Sequence, residues 1–297
     1  MVERGDASGS DGVNARRHLG AVALVATLMF ALAGCGNSTL NQSEWFNQSA
    51  WTEDDSDIAR TFDEATVVLP RGHGNAPLAT RMTDRQLVAF IRGEARGLRY
   101  PTVIYLHGCT GLRNTETLKA LARRGFAVIA PDSFSRRYRP LQCRPSRQTG
   151  GENRFVFDFR MAEISYALHR IEALPWVDSN RLFLMGTSEG GVAAALYRGT
   201  EFRGRVIAQW TCHGGALIRG LAAPPDEPVL ALVQADDPWY DASRTVGQRG
   251  HCGAFMAGRP ASQSIVLDQR NTHDVFENPA AMQYILDFLS AVAGRPS

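Results

Sequence analysis

A Gly-x-Ser-x-Gly motif lies between an apolar run and a helical pattern, and it limits the folds that this chain can adopt. Arg181 to Met185 read as a β-strand, Gly186 to Gly190 carry the motif around Ser188, and a helical pattern begins at Gly191. A strand that turns sharply into a helix holds the serine in a strained backbone conformation, and the flanking glycines let neighbouring backbone approach without a Cβ clash. The serine oxygen then lies at a helix N-terminus, where free N–H groups favour a developing negative charge. The spacing therefore predicts Ser188 as a nucleophile.

Short apolar runs alternate with longer helical patterns along the chain, which is typical of βαβ units and a mostly parallel sheet. The predicted strands are Ala65 to Leu69, Leu87 to Ile91, Thr102 to Leu106, Ala127 to Ala130, Leu182 to Met185, Val206 to Trp210, Val229 to Val233 and Ser264 to Leu267. The predicted helices are Thr115 to Arg124, Val156 to Leu174, Gly191 to Tyr197 and Pro279 to Val292. The first strands have no helices between them, which predicts an antiparallel edge. We expect an α/β protein with the α/β-hydrolase fold, a doubly wound, mostly parallel sheet of about eight strands with helices on both faces.

A base and an orienting acid have to follow the serine, because a hydroxyl at its ordinary pKa is a poor nucleophile. In this fold they come in the order Ser, Asp or Glu, His. Asp236 and Asp237 follow an apolar run, and His273 lies in a loop before the last helical pattern. We expect His273 to act as general base and then acid, and Asp237 to orient it, with Asp236 as the alternative. His213 and His251 could line the pocket, but neither falls in this order.

Acyl transfer also needs two backbone N–H groups that point at the developing oxyanion. One is expected from Glu189, which follows the nucleophile. The other is expected from the loop His107-Gly108-Cys109-Thr110-Gly111, which resembles the His-Gly oxyanion loop of esterases. The predicted donor there is the backbone N–H of Cys109.

The N-terminus has the pattern of an export signal. Arg16 and Arg17 precede the apolar run Ala21 to Ala33, which is too short to span a bilayer but suits the apolar region of a signal peptide. The run ends in Leu32-Ala33-Gly34-Cys35, which resembles the lipobox of bacterial lipoproteins, whose cysteine is lipidated. An ordinary signal peptide with a chance cysteine is the alternative.

These features predict three segments. Residues 1–34 are expected to be a lipoprotein signal peptide, residues 35–60 a flexible tether rich in polar residues, and residues 61–297 one α/β-hydrolase domain. We expect an exported protein anchored through a lipid on Cys35 to the periplasmic side of the bacterial cell envelope. Gly36 after the cysteine resembles the pattern that directs lipoproteins to the outer membrane.

Four more cysteines, Cys109, Cys143, Cys212 and Cys252, would reach a compartment where disulfides persist. No Cys-x-x-Cys pair or Cys/His cluster has the spacing of a zinc site, so no metal is expected. Cys109 and Cys143 flank loops after adjacent predicted strands, as do Cys212 and Cys252, and we expect these two pairs to be joined. Other pairings and four buried free thiols remain open.

The motifs together resemble the dienelactone hydrolase family of α/β-hydrolases over roughly Val67 to Val292. The segments that carry the resemblance are His107 to Gly111, Arg124 to Phe134, Gly186 to Gly191, Ala235 to Trp239 and His273 to Phe276. In that family the acid is the fourth residue from a small position that closes the strand, which matches Asp237. Founding members use cysteine where this chain has Ser188, so the resemblance implies a serine esterase rather than cleavage of a dienelactone. A secreted or periplasmic branch carries cysteines like those found here.

We therefore expect a serine hydrolase that cleaves a small-molecule ester or lactone through an acyl-enzyme, without a metal or organic cofactor. The 32 basic and 30 acidic residues are spread along the chain with a net charge of +2, which excludes a nucleic-acid footprint. Two other functions stay open: a peptidase with the same machinery, and a catalytically silent lipoprotein that binds a small molecule or an envelope partner. The oligomeric state is not predicted by the sequence.

Overall fold

The computed structural model describes residues 57–294, apart from residues 73, 113–114, 138, 140–142, 151–153, 215–217 and 241–248. The chain divides into two compact units, Met1–Trp51 and Thr52–Ser297, and every described residue belongs to the second. The expected signal peptide, Cys35 and residues 35–56 of the expected tether lie outside the described residues. The first helix begins at Asp57, inside the last part of that tether. Within the described ranges, no helix has both the length and the apolar character needed to cross a membrane.

Six helices are described in these ranges. They are α1 (Asp57–Asp63), α2 (Arg85–Arg92), α3 (Glu116–Arg123), α4 (Arg154–Ile171), α5 (Glu189–Leu196) and α6 (Pro279–Ala293). The strands are β1 (Thr66–Leu69), β2 (Leu78–Arg81), β3 (Tyr100–Leu106), β4 (Ala127–Ala130), β5 (Cys143–Arg144), β6 (Thr149–Gly150), β7 (Val177–Thr187), β8 (Arg205–Ala208), β9 (His213–Gly214), β10 (Ile218–Arg219), β11 (Val229–Asp236) and β12 (Gln263–Arg270).

Eight of the strands form one sheet in the order β12-β11-β8-β7-β3-β4-β1-β2. The six strands in the part β12-β11-β8-β7-β3-β4 pair with one another in parallel, whereas β1 is antiparallel to both β2 and β4. The predicted α/β class, the mostly parallel sheet and its antiparallel edge are confirmed. The carboxyl ends of β3, β7, β11 and β12 therefore meet at one edge, where such sheets hold their sites.

The second predicted strand is wrong. Residues 87–91 lie within helix α2, and the strand at this point of the chain is β2. The side chain of Asp84 accepts a hydrogen bond from the backbone N–H of Gln86 and so caps the helix. Leu87 and Phe90, three residues apart, are buried while Val88 is exposed, which is the helical period and not the alternation of a strand.

Two apolar clusters lie on opposite faces of the sheet, and successive side chains of β11 belong alternately to one and to the other. Leu230 and Leu232 belong to the cluster that contains side chains of α3 and α6. Val229 and Ala231 belong to the cluster that contains side chains of α4 and α5. Because successive side chains of a strand point to opposite faces, the helices cover both faces of the sheet.

Both expected disulfides are present. Cys109 is joined to Cys143 and Cys212 to Cys252, with Cα atoms 6.0 and 4.9 Å apart respectively. The first bond ties the loop after β3 to the β5–β6 hairpin. The second lies in the apolar cluster on the α4 and α5 face, where Cys212 and Cys252 are fully buried.

Candidate active site

Ser188 is the single residue between β7 and α5, and its backbone is strained. Its φ and ψ are 52° and −117°, in a region that residues with a Cβ rarely adopt. The glycines around it are required by close backbone contacts. A Cβ at Gly186 would lie 2.1 Å from the carbonyl oxygen of Gly190, and a Cβ at Gly190 would lie 2.2 Å from that of Leu106. The motif thus packs the serine turn directly against the end of β3.

The structure brings Ser188, His273 and Asp237 into one hydrogen-bonded row. His273 Nε2 is 2.9 Å from Ser188 Oγ, and His273 Nδ1 is 2.7 Å from Asp237 Oδ2. The backbone N–H of Trp239 donates to Asp237 Oδ1 at 2.9 Å. The Asp237 side chain is 3% exposed and the His273 side chain 17%. The imidazole is therefore held between the hydroxyl and a buried carboxylate.

Asp236, the alternative acid, lies elsewhere. Its Oδ1 atom is 3.0 Å from Arg249 Nη2, and its side chain is 37% exposed. Successive side chains at the end of β11 point in different directions, so only one of the two carboxylates meets His273. Of the two predicted candidates, the structure places Asp237 beside the histidine.

The loop that carries His273 is held by side-chain amides that the sequence analysis did not single out. Gln209 Nε2 donates to the His273 carbonyl oxygen at 3.0 Å, and Gln234 Nε2 donates to that of Asp274 at 3.1 Å. The Tyr240 hydroxyl donates to the Gln209 carbonyl oxygen at 2.8 Å. Burial raises the pKa of Tyr240 well above its usual value, so this hydroxyl stays protonated and keeps donating.

The loop after β3 passes directly beside the nucleophile. A Cβ at Gly108 would lie 3.3 Å from the Cβ of Ser188. His107 Nδ1 donates to the Gly108 carbonyl oxygen at 2.8 Å, and His107 Nε2 accepts from the backbone N–H of Ser133 at 3.1 Å. Burial and then the nearby Arg160 hold the pKa of His107 well below its usual value, so the imidazole is neutral, as this donor and acceptor pattern requires.

The expected oxyanion donors flank Ser188 from two sides. Cys109 lies in the loop that contacts the serine, and Glu189 is the first residue of α5. The first N–H groups of a helix have no partner within that helix, so the N–H of Glu189 is not used inside α5. Both residues line the pocket in front of Ser188.

Most of the side chains described in the lining of that pocket are apolar or aromatic. Besides Ser188 and Glu189, the described lining residues are Cys109, Gly150, Phe157, Val192, Trp210, Gly214, Ile218, Trp239 and Tyr240. Neither His213 nor His251 is among these described lining residues. In the part of the chain that the structure describes, no three His, Cys, Asp or Glu side chains are grouped as metal ligands would be.

A buried charged cluster behind the loop was missed by the sequence analysis. Arg160 and Glu163 of α4 are fully buried and joined by a hydrogen bond of 2.8 Å. A signal for them was present, because both fall on the apolar stripe of the predicted helix with Phe157, Ile164 and Ala167. A charged pair on such a stripe indicates an internal ion pair and not a solvated face.

The sheet order and a serine on the turn between β7 and α5 define the class of the protein as an α/β-hydrolase. A family model of the dienelactone hydrolase family matches residues 87–249, more than half of the chain. The chain therefore belongs to the dienelactone hydrolase family and is a hydrolase of carboxylic esters, which confirms the predicted family.

Solved structures to which the chain is similar include a Klebsiella pneumoniae protein designated a dienelactone hydrolase and an esterase from the archaeon Pyrobaculum calidifontis. The first is 19% identical, covers 76% of this chain and 97% of its own, and has a TM-score of 0.48. The second is 14% identical, covers 80% of this chain and 89% of its own, and has a TM-score of 0.46. No curated protein matches the chain.

Proposed function

We propose that the protein is a serine esterase that works through an acyl-enzyme on Ser188. The observation that supports this most is the row from Ser188 Oγ through His273 to Asp237, with distances of 2.9 and 2.7 Å. In that row the imidazole can take a proton from the hydroxyl at one nitrogen while the carboxylate fixes the tautomer at the other.

The proposed reaction has two halves. Ser188 Oγ attacks the ester carbonyl carbon and its proton passes to His273 Nε2, while the carbonyl oxygen becomes an oxyanion held by the N–H groups of Cys109 and Glu189. The C–O bond to the alcohol then breaks and His273 returns the proton to the leaving alkoxide. A water molecule attacks the acyl-enzyme in the same way, with His273 as base, and releases the acid and free Ser188.

The pocket wall supports an apolar, uncharged acyl group as the substrate class. Phe157, Trp210, Ile218 and Trp239 offer apolar surface, and the carboxylate of the charged lining residue among those described, Glu189, is paired with Arg139 and Arg160. A carboxylate on the acyl group would lose its hydration against these apolar side chains.

This substrate class can be tested with two nitrophenyl esters of matched length. We expect kcat/KM for p-nitrophenyl butyrate to exceed that for the p-nitrophenyl monoester of succinate by about tenfold or more, because only the second has a carboxylate to desolvate. Ile218→Lys should lower the ratio of the two kcat/KM values. Val266→Lys, at an exposed position of β12 outside the described pocket lining, should leave it unchanged. Equal rates for the two esters would contradict the proposed substrate class.

We also propose that the protein is exported and anchored by a lipid on Cys35, as the apolar run and the lipobox pattern of its N-terminus support. Cys35→Ser should then give a soluble protein or an uncleaved precursor, because the acyl chains on the cysteine supply the membrane affinity. Cell fractionation with and without detergent measures this. The lipidation site is wrong if the processed variant partitions into membranes like the parent.

A further inference from the structure

Five charged side chains lie buried behind the oxyanion loop, and the acyl-transfer steps above do not use their charges. They are Arg136, Arg139, Arg160, Glu163 and Glu189, with side chains at most 7% exposed. Buried charges are costly unless each one is paired with good geometry, and charges paired in this way hold their partners in fixed positions.

Arg160 contacts both sides of the oxyanion site with one guanidinium group. Its Nη2 atom donates to the His107 carbonyl oxygen at 2.9 Å, and its Nη1 atom lies 3.4 Å from His107 Nε2. Its Nε atom lies 3.7 Å from Glu189 Oε1. Arg139 pairs with the same carboxylate through its Nη2 atom. Arg160 thus lies between the residue that begins the oxyanion loop and the residue that provides the second N–H donor.

Through its contact with His107, Arg160 also affects the direction of the first oxyanion donor, the backbone N–H of Cys109. His107 is held at its carbonyl by Arg160, and its Nδ1–H in turn donates to the Gly108 carbonyl oxygen. A trans peptide is planar and its C=O and N–H point in opposite directions. Fixing the Gly108 carbonyl therefore fixes the direction of the Cys109 N–H on the other side of the same peptide.

We propose that Arg160 is a positioning residue that sets the separation of the Cys109 and Glu189 N–H groups in the oxyanion site. The inference rests on the acyl-enzyme mechanism proposed above. The planar guanidinium donates to Glu163 and to the His107 carbonyl oxygen from its two terminal nitrogens, and its Nε atom forms an ion pair with Glu189 at 3.7 Å without a hydrogen bond. The single ammonium of a lysine cannot make these three contacts at once. Arg160→Lys therefore keeps the charge and removes the geometry.

The chain contains a matched control in Arg205. Its side chain is also fully buried, pairs with Glu227 at 2.7 and 2.6 Å, and donates to backbone carbonyl oxygens of Ala194 and Tyr197. None of these partners is an expected oxyanion donor or a neighbour of one in the loop after β3. Arg205→Lys removes a buried set of guanidinium hydrogen bonds at the C-terminal end of α5, away from the first residue of that helix and from the loop after β3.

Two kinetic readouts separate positioning from general stability. Acylation and deacylation both pass through an oxyanion, so we expect Arg160→Lys to lower kcat for p-nitrophenyl butyrate by about 10- to 100-fold, with KM within about twofold. The inhibition constant of a butyl trifluoromethyl ketone, whose adduct with a serine carries an oxyanion, should rise by the same factor. Arg205→Lys should lower Tm but leave kcat, KM and the inhibition constant within about twofold of the parent.

The inference is overturned if Arg160→Lys keeps kcat, KM and the inhibition constant close to the parental values, as expected for Arg205→Lys. It is also overturned if Arg160→Lys raises KM and leaves kcat unchanged. If Arg160→Lys does not fold, Glu189→Gln provides the test, since it keeps the backbone N–H and the side-chain shape but removes the anion that Arg160 and Arg139 hold. Its kcat should fall several-fold at constant KM, and an unchanged kcat overturns the inference. Activity of Ser188→Ala within about tenfold of the parent would reject the proposed mechanism instead, so the two failures are distinct.

Discussion

Ser188→Ala should lower kcat/KM for p-nitrophenyl butyrate by about 10³-fold or more. The hydroxyl is the atom that would attack the ester, and His273 alone offers only a water-mediated route. The fold should be kept, because Gly186 and Gly190 allow the close approach at the turn and the backbone N–H of Ser188 still donates to the Ala208 carbonyl oxygen. Alanine meets the same backbone strain as serine at a φ of 52°.

The control for this variant is Ser290→Ala, a serine at an exposed position of α6. It should hydrolyse the ester at the parental rate. Steady-state kinetics of both variants measures kcat/KM, and thermal unfolding shows whether each variant is folded. Turnover by folded Ser188→Ala within about tenfold of the parent would remove Ser188 from the proposed mechanism.

Asp237→Asn should lower kcat/KM by about 10³-fold or more, whereas Asp236→Asn should change it by no more than about threefold. The Asn amide can still accept from the Trp239 N–H through its oxygen, but the NH₂ group would face His273 Nδ1. The histidine would then keep its proton on Nε2, toward Ser188, and could not take the serine proton.

The two aspartates are adjacent in sequence and removal of either changes the net charge equally, so Asp236→Asn is the matched control. Its carboxylate lies 3.0 Å from Arg249 Nη2 instead of beside the histidine. A larger loss of kcat/KM in Asp236→Asn than in Asp237→Asn would show that the acid had been misidentified.

The sequence was enough to predict that Ser188, Asp237 and His273 lie together, for a physical reason. The turn at Ser188 requires glycines at fixed spacing, and the parallel sheet sends the ends of β7, β11 and β12 to one edge. Residues as far apart in sequence as these three could therefore be expected at the same place before any contact was known. No requirement of this kind fixed the structure of the run Leu87 to Ile91, because a short apolar segment can form either a strand or a helix. The N-cap at Asp84 favours the helix.

The contacts that hold the site together could not be predicted in the same way. Gln209 and Gln234 reach the His273 loop through amides whose direction depends on side-chain rotamers and on the bend after β8, where Gln209 has a φ of 62°. Arg160 and Glu163 could be recognised as a buried pair from their helical stripe. Their partner His107 is more than 50 residues away in sequence, so the link to the oxyanion loop needed the structure.

Labelling with a fluorophosphonate followed by peptide mapping tests whether Ser188 is the nucleophile. The probe forms a covalent bond to an activated serine, so we expect one adduct, on the tryptic peptide of residues 182–198 that contains Ser188. The adduct should be absent from Ser188→Ala and should form much more slowly in Asp237→Asn. An adduct on another residue, or a Ser188→Ala variant that labels like the parent, would contradict the assignment of Ser188 as the nucleophile.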